Sequence, residues 1–271
     1  MAVHPVRRQQ CTHMNVVVCV KQIPDPAVPG SLDPVTHNLV RTGKLIMDDS
    51  DSYGVEMALQ LASGEGDEVT LVSMAPNAEV SGLRTALAMG AAKATLVSDE
   101  SLAGTDALGT AKVLAAAISR SQPDLVIAAT ESTDGYTGTM PVQVAEILGF
   151  PSVTFAKAVS VEGSTVKVQR QTEAGYDEVE VPLPVVVTVT AGVVEPRYPS
   201  FKGIMAAKSK PVDVLTVAEL GLDASVVGSV GARQEITDVA DAEARGSGEI
   251  VVDEGDGAAR IVSFLEQIKV I

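Results

Sequence analysis

The sequence predicts an α/β protein: a Rossmann-like, doubly wound and mostly parallel sheet, with an added antiparallel hairpin and a C-terminal helical arm. Three observations carry that reading. As far as Pro151, short β-branched runs alternate with amphipathic helical stretches. Beyond Pro151 the hydrophobic rhythm changes to alternation with period two. From Val212 onward the chain turns acidic, with 12 Asp and Glu against 4 Lys and Arg, before a last apolar helical stripe.

Taken in order, "NVVVCV" at 15–20 reads as a buried strand. "DSYGVEMALQLA" at 51–62 reads as a helix, with its N-cap expected at Ser50 or Asp51. "EVTLVSM" at 68–74 is a strand, and "AEVSGLRTALAMG" at 78–90 a helix that stops at Gly90. "ATLVSD" (94–99) and "DLVIAA" (124–129) are further strands, separated by the helix of "TDALGTAKVLAAAISR" (105–120). Strands separated by helices imply crossovers, and crossovers cover both faces of a parallel sheet. "VTFAKAVSVEG" and "STVKVQRQTEAGYDEVEV", with Gly163 and Gly175 at turns, predict antiparallel hairpins, and "LPVVVTVT" (183–190) returns to a continuous buried strand. In "AARIVSFLEQIKVI" the side chains of Ala258, Ile261, Val262, Leu265 and Ile268 share one helical face, which needs a surface to dock on. The expected organisation is a disordered extension over 1–13, an α/β nucleotide-binding domain over 14–211 and an acidic arm over 212–271.

Composition narrows the function. At 271 residues and 46% hydrophobic the chain can bury a sizeable core. A net charge of -15 argues against nucleic acid or an anionic membrane surface as the main partner. The apolar runs are too short to span a bilayer, and no signal peptide is visible, so direct membrane insertion is not expected. Cys11 and Cys19 are the two cysteines and form no CxxC pair, which supports neither a disulfide framework nor a zinc site. A reducing, cytoplasmic setting fits.

Two stretches stand out. "ATESTDGYTGTMP" at 129–141 leaves the carboxyl end of a strand and enters a helix, where ligands of open α/β sheets sit and where phosphates favour helix N-termini. It holds hydroxyls at Thr130, Ser132, Thr133, Thr137 and Thr139, glycines at 135 and 138, and no Lys or Arg. An anion there would rely on backbone N–H groups and hydroxyls; an ordinary capped turn has the same composition. The second stretch is "EPRYPSFKGIMAAKSKP" at 195–211. It places 4 basic residues and 2 of the chain's 8 aromatic residues together in an acidic protein, punctuated by three prolines and a glycine. Phe201 among Arg197, Lys202 and Lys208 has the composition of an interface anchor. A ring tucked into its own core, with solubilising lysines around it, is the alternative.

Other candidates are weaker. "GEGDE" at 64–68 lacks the third glycine of GxGxxG and precedes a strand, so it reads as a turn. Asp48, Asp49 and Asp51 read as helix caps rather than metal ligands. The histidines at 4, 13 and 37 fall in the extension or an early loop, so no catalytic set is expected.

"RTALAMGA" (84–91), following "EVTLVSM" and Pro76, resembles the β subunit of electron transfer flavoprotein. "VVVCVKQIPD" resembles the family's first strand with its following Lys, and the 129–141 loop falls at its nucleotide loop. "VQRQTEAGYDEVEVPLPVVVTVTAG" resembles its pattern of a basic residue, acids and a Pro before an apolar strand. "EPRYPSFKGIMAAKSKP" resembles its partner-recognition loop. The resemblance covers about residues 14–222. It implies an electron carrier, not an enzyme, paired with an α subunit that holds most of a redox-active FAD. Such a heterodimer takes electrons from acyl-CoA and related dehydrogenases, as in fatty acid β-oxidation, and passes them to a membrane quinone oxidoreductase. The β subunit buries a structural AMP. By position its contacts fall on Cys19, Asp48, Met74 and Thr130, Glu131, Ser132, Thr133, Asp134, Gly135, Tyr136, Thr137 and Gly138. Partner binding falls on Arg197, Tyr198, Phe201, Lys202, Ile204 and Met205, with Phe201 as the anchor where the family usually has Leu. The chain departs from the family in two places: the loop lacks the frequent run of acids and Asn-Gln before Thr-Gly, and Gln171 stands where many relatives carry Glu. A bifurcating flavoprotein subunit, with a second FAD in place of AMP, is the alternative within the family. A stand-alone nucleotide-binding stress or signalling module is the alternative outside it.

Overall fold

The computed structural model describes residues 13–240, 248 and 250–271, so the extension expected at the N-terminus lies, except for His13, outside the described residues. The chain divides into two compact units, Met1–Ile236 and Thr237–Ile271.

The first unit opens with β1 (Asn15–Cys19), β2 (Gln22–Pro24) and β3 (Leu45–Met47), the last two forming a small antiparallel pair. There follow α1 (Asp49–Leu61), β4 (Glu68–Ala75), α2 (Ser81–Met89), β5 (Lys93–Ser98), α3 (Ala107–Ser119), β6 (Leu125–Ala129) and α4 (Met140–Leu148). The chain continues through β7 (Ser152–Glu162), β8 (Thr165–Thr172), β9 (Gly175–Pro182), β10 (Val185–Val189), α5 (Phe201–Ala207), β11 (Val212–Leu215) and the short α6 (Gly228–Gly231). Nine strands form one sheet in the order β11-β5-β4-β1-β6-β10-β7-β8-β9. The pairs β7–β8 and β8–β9 are antiparallel, and the other neighbours run parallel. The expected hairpins are thus one three-stranded meander extending a parallel sheet.

The run of valines in β1 explains why the sheet is covered twice. Val16 and Val18 pack with Val55 and Ala58 of α1 and Leu83 and Leu87 of α2, while Val17 and Cys19 pack with Ala111 and Leu114 of α3 and Val144 and Ala145 of α4. A strand apolar on both faces is stable only between two helical layers. The winding also fixes a crevice. From β1 the chain builds outward through β4 and β5, then crosses to β6 on the other side of β1. The direction of winding therefore reverses between β1 and β6, whose carboxyl ends diverge there.

Two boundaries differ from the expectation. The N-cap of α1 is Asp48, whose carboxylate accepts from the Ser50 N–H at 3.0 Å. Asp51 cannot cap because it is drawn inward to accept the Lys21 N–H at 2.6 Å. The polar tail expected from Val212 first contributes β11, paired in parallel with β5, and the compact unit runs on to Ile236. In the second unit the expected terminal helix is α7 (Gly257–Gln267), which carries Ala258, Ile261, Val262 and Leu265 and buries none of its residues; Ile268 is its C-cap. Among the described residues no helix is long and apolar enough to cross a membrane.

The first turn of α2 approaches β3 closely enough to require glycine. A β-carbon on Gly82 would lie 2.8 Å from the Met47 nitrogen and 3.0 Å from the Ile46 carbonyl carbon. Helix propensity favours Ala by about 0.8–1.0 kcal/mol, but forcing backbone apart in a packed interior costs about 1–3 kcal/mol. The steric effect wins. Gly82→Ala is expected to lower unfolding stability by about 1–2 kcal/mol in urea titration; a stabilised variant would show that α2 can back away from β3.

Candidate functional site

The crevice at the carboxyl ends of β1 and β6 collects most of the residues expected at a nucleotide site. Cys19 ends β1 in register with Val72 of β4, and Met74 follows two residues further along β4. On the other side, Val18 pairs with Ile127, so Thr130 leaves β6 beside the same strand ends. Thr130 is strapped to β10 by its N–H at 3.2 Å and its hydroxyl at 3.1 Å, both donating to the Val189 carbonyl.

Loop 130–138 is held down by three groups outside it. Asp48, fully buried, accepts from the Thr133 N–H at 2.7 Å and the Thr133 hydroxyl at 3.1 Å, so one carboxylate caps α1 and closes the loop. The Lys21 ammonium donates to Ser132 Oγ at 3.1 Å and to Asp134 Oδ1 at 2.6 Å. Arg41 pairs with the other Asp134 oxygen. Burial works to raise the Asp134 pKa, but the charges of Lys21 and Arg41 and their hydrogen bonds outweigh it and hold the carboxyl below its ordinary value. Gly135, Tyr136, Thr137 and Gly138 are exposed, as are Glu131 and Thr133. Gly138 has a φ of 62°, the left-handed region that glycine adopts without strain. Behind it, Thr139 is the N-cap of α4 and makes no side-chain cap bond; Pro141 has no N–H, so the first turn offers those of Met140 and Val142, which meet no side-chain acceptor among the described residues.

Burial first, and the neighbouring Asp51 second, push the Cys19 thiol up to about 12, so it is neither a thiolate nucleophile nor a ready metal ligand. Burial likewise drives the Asp51 carboxyl well above its usual range, against the Lys21 N–H that it accepts. Among the described residues no group of three or more His, Cys, Asp or Glu is placed to hold a metal ion.

The second stretch is a short capped helix and not a loop. Ser200 Oγ accepts from the Gly203 N–H at 3.0 Å and starts α5. Its basic residues divide into two kinds. Arg197 lies against the buried Glu56 of α1, its Nε 2.6 Å from Oε2 and its Nη2 2.9 Å from Oε1. Lys210 donates to the carbonyls of Leu87 and Ala91 at the end of α2, at 2.9 and 2.6 Å. Arg84 of α2 returns the contact, donating to the carbonyls of Ala207 and Lys210 at 2.7 and 2.6 Å. Lys202 and Lys208 face solvent. Phe201 is 81% exposed and Tyr198 92% exposed, and Ile204 and Met205 are exposed beside them. The Arg197 guanidinium is thus paired within the chain although its side chain is 47% exposed, and the outward surface beyond it is apolar with lysines at its margin.

Sequence reasoning missed Arg41 and Glu56 as site residues. Arg41 sits in an irregular loop without periodicity, and Glu56 occupies a helix position that reads as solvated. Lys21, directly after β1, did carry a signal.

The Asp134 clamp has a measurable stability. Its partners keep access to water, with side chains 40% and 32% exposed, so removing the carboxylate costs less than breaking a dry pair. Asp134→Asn is expected to cost about 1–2 kcal/mol near neutral pH. Because the folded pKa is depressed, that contribution is complete above the unfolded carboxylate value of about 3.9 and is lost as pH falls through the lower folded value. The difference in urea midpoint between wild type and variant should therefore shrink in acid. A gap that is independent of pH would refute the clamp.

Comparison with known proteins converges on one family. The family model described as the electron transfer flavoprotein domain matches residues 36–220. A Mycobacterium leprae protein named electron transfer flavoprotein subunit beta is 39% identical over 264 residues, covering 95% of this chain and 99% of its own. A Clostridium acetobutylicum protein of the same name is 37% identical over 257 residues, covering 94% and 98%. An Acetobacterium woodii protein named caffeyl-CoA reductase-Etf complex subunit CarD is 33% identical over 263 residues, covering 95% and 100%. With a parallel sheet wound about β1 and relatives aligned over nearly the whole length, the chain belongs to the electron transfer flavoprotein family, among its β subunits.

Proposed function

We propose that this chain is the nucleotide-binding and docking half of an electron-carrying heterodimer. Its partner is an electron transfer flavoprotein α subunit that holds most of the FAD. The observation that carries the reading is the coexistence of two separate surfaces on one fold: an open polar crevice at the winding reversal, and an apolar knob held outward on α5.

The crevice suits the phosphate of AMP. Loop 130–138 has no cation of its own; Lys21 and Arg41 bring two positive charges, but Asp134, Asp48 and Glu131 offset them, so an anion here would rest on N–H groups and hydroxyls rather than on net charge. The N–H groups of Gly138 and the first turn of α4 would hold the phosphate, and a helix N-terminus favours an anion by about 0.3–1 kcal/mol. Cys19 and Met74 would form the apolar floor. The same donors suit the adenosine diphosphate half of a second FAD, the bifurcating alternative. The likeness to the CarD protein is the observation that favours that alternative. FAD, when bound, supplies the redox chemistry; the residues of this chain bind, orient and exclude water. Release and identification of every nucleotide from the purified heterodimer decides between them. One AMP and one FAD supports the main reading, and two FAD the alternative. This chain purified alone is expected to be colourless, and a stoichiometric flavin on it would overturn the main reading.

Phe201, with Tyr198, Lys202, Ile204 and Met205, is the proposed contact for acyl-CoA and related dehydrogenases, with Arg197 holding the segment from within. A membrane quinone oxidoreductase is the proposed acceptor, in a cytoplasmic setting. The apolar stripe of α7 is proposed to dock on the α subunit. Phe201→Ala is expected to slow reduction of the assembled flavoprotein by an acyl-CoA dehydrogenase at least tenfold, equivalent to about 1.4 kcal/mol. Nucleotide content and assembly should not change. Equal rates would mean that α5 is not the docking site.

A further inference from the structure

Glu56 is a costly buried acid on α1, and within its own helix it meets only Gln60, one turn on, among the described residues. It is 3% exposed. Asp48 and Asp51, the other buried acids on this helix or its cap, serve the first turn and the crevice. Both Glu56 oxygens instead serve Arg197. Oε2 accepts from Nε at 2.6 Å and from the Arg197 backbone N–H at 3.3 Å, and Oε1 accepts from Nη2 at 2.9 Å and from Gln60 Nε2 at 2.8 Å. Burial would raise the Glu56 pKa, yet hydrogen bonds from Arg197 and Gln60 bring it below its ordinary value, so the carboxylate is charged.

What this grip fixes is the entry to α5. The contact reaches the backbone as well as the side chain of Arg197, just ahead of Tyr198, Pro199 and the Ser200 cap. At the far end Arg84 and Lys210 bind α5 to α2. Between these polar fastenings α5 buries Ala207 alone. Gly203 brings the middle of α5 against the Ala88 carbonyl, where a β-carbon would lie 2.5 Å away, so packing on α2 seats the body of the helix while the Glu56 contact fixes its entry. The pair is buried on one side only, the Arg197 side chain being 47% exposed, and such a pair is weak evidence for stability: water screens it, and apolar replacements of buried ions are often neutral or stabilising. Its use has to lie elsewhere.

We propose that Glu56 and Arg197 are positioning residues for the docking helix, a fastening that holds Phe201, Ile204 and Met205 in the orientation a dehydrogenase receives. This rests on the docking reading above and deepens it. The decisive variant is the double replacement Glu56→Met/Arg197→Met in the complete heterodimer, beside Arg197→Lys and the Phe201→Ala control. With the flavoprotein as substrate of an acyl-CoA dehydrogenase supplied with its acyl-CoA, the double variant is expected to raise KM about tenfold, with kcat unchanged. Its urea midpoint and nucleotide content should match wild type, and amide hydrogen exchange should quicken over 198–207 while β1, β4 and β6 stay protected. Arg197→Lys keeps the charge but loses the two-pronged contact, and should fall between the two. An unchanged KM where Phe201→Ala is slow overturns this inference and spares the docking reading. If Phe201→Ala is itself silent, the docking reading fails, and exchange over 198–207 alone decides whether the fastening exists. Loss of stability or nucleotide together with KM and kcat marks a general structural role and also overturns it. Should the double variant not fold, Arg197→Lys carries the same outcomes.

Discussion

The rest of the structure depends on the burial of β1 on both faces. Val16, Val17 and Val18 leave no polar side on this strand, so helices must cover it above and below. Parallel neighbours then follow, because each helix carries the chain back to the same end of the sheet. A chain that builds first to one side of β1 and later to the other must leave diverging loops between β1 and β6. The crevice, with its Asp48 and Lys21, is thus a by-product of how a fully apolar central strand is sheltered.

Helix α1 ties that crevice to the segment that carries α5. Asp48 at its start closes loop 130–138, and Glu56, eight residues on, fastens the entry to α5. At a rise of about 1.5 Å per residue the two fastenings lie about 12 Å apart along one rigid rod. Asp51 between them holds the Lys21 backbone, so three buried acids on α1 and its cap organise the first strand's exit, the loop and the entry to α5. Buried acids are tolerated because each has N–H donors or a guanidinium facing it, and for Asp51 burial favours the neutral form.

Much of this was legible in the sequence, and the illegible parts share a cause. The strands at 68–74 and 124–129 and the stop at Gly90 were readable because apolar runs and glycine act locally. The position of loop 130–138 at the carboxyl end of the central strands was readable because its glycines and hydroxyls follow a buried strand. The pairing of Lys21 with Asp134 spans 113 positions, and that of Glu56 with Arg197 spans 141. No periodicity encodes contacts at that range. The cap of α1 was misplaced for a similar reason: three aspartates could each cap in isolation, and only the tertiary bond from Lys21 removes Asp51 from the choice. The 195–211 stretch was read as a loop from its prolines, yet Ser200 caps a two-turn helix directly behind the last of those that precede Phe201.

The two ends of the nine-stranded sheet bear on how a free subunit survives before it meets a partner. An open sheet offers unpaired N–H and C=O groups along its outermost strands, a template for unwanted pairing with another copy. Here β9 presents exposed Asp177, Glu178 and Glu180, and β11 at the other end is four residues long and carries Asp213. Two copies meeting edge to edge would set carboxylates against carboxylates in a chain already at -15. The acidity that marks the whole sequence therefore weighs, at both edges, against pairing with a second copy of the same strand.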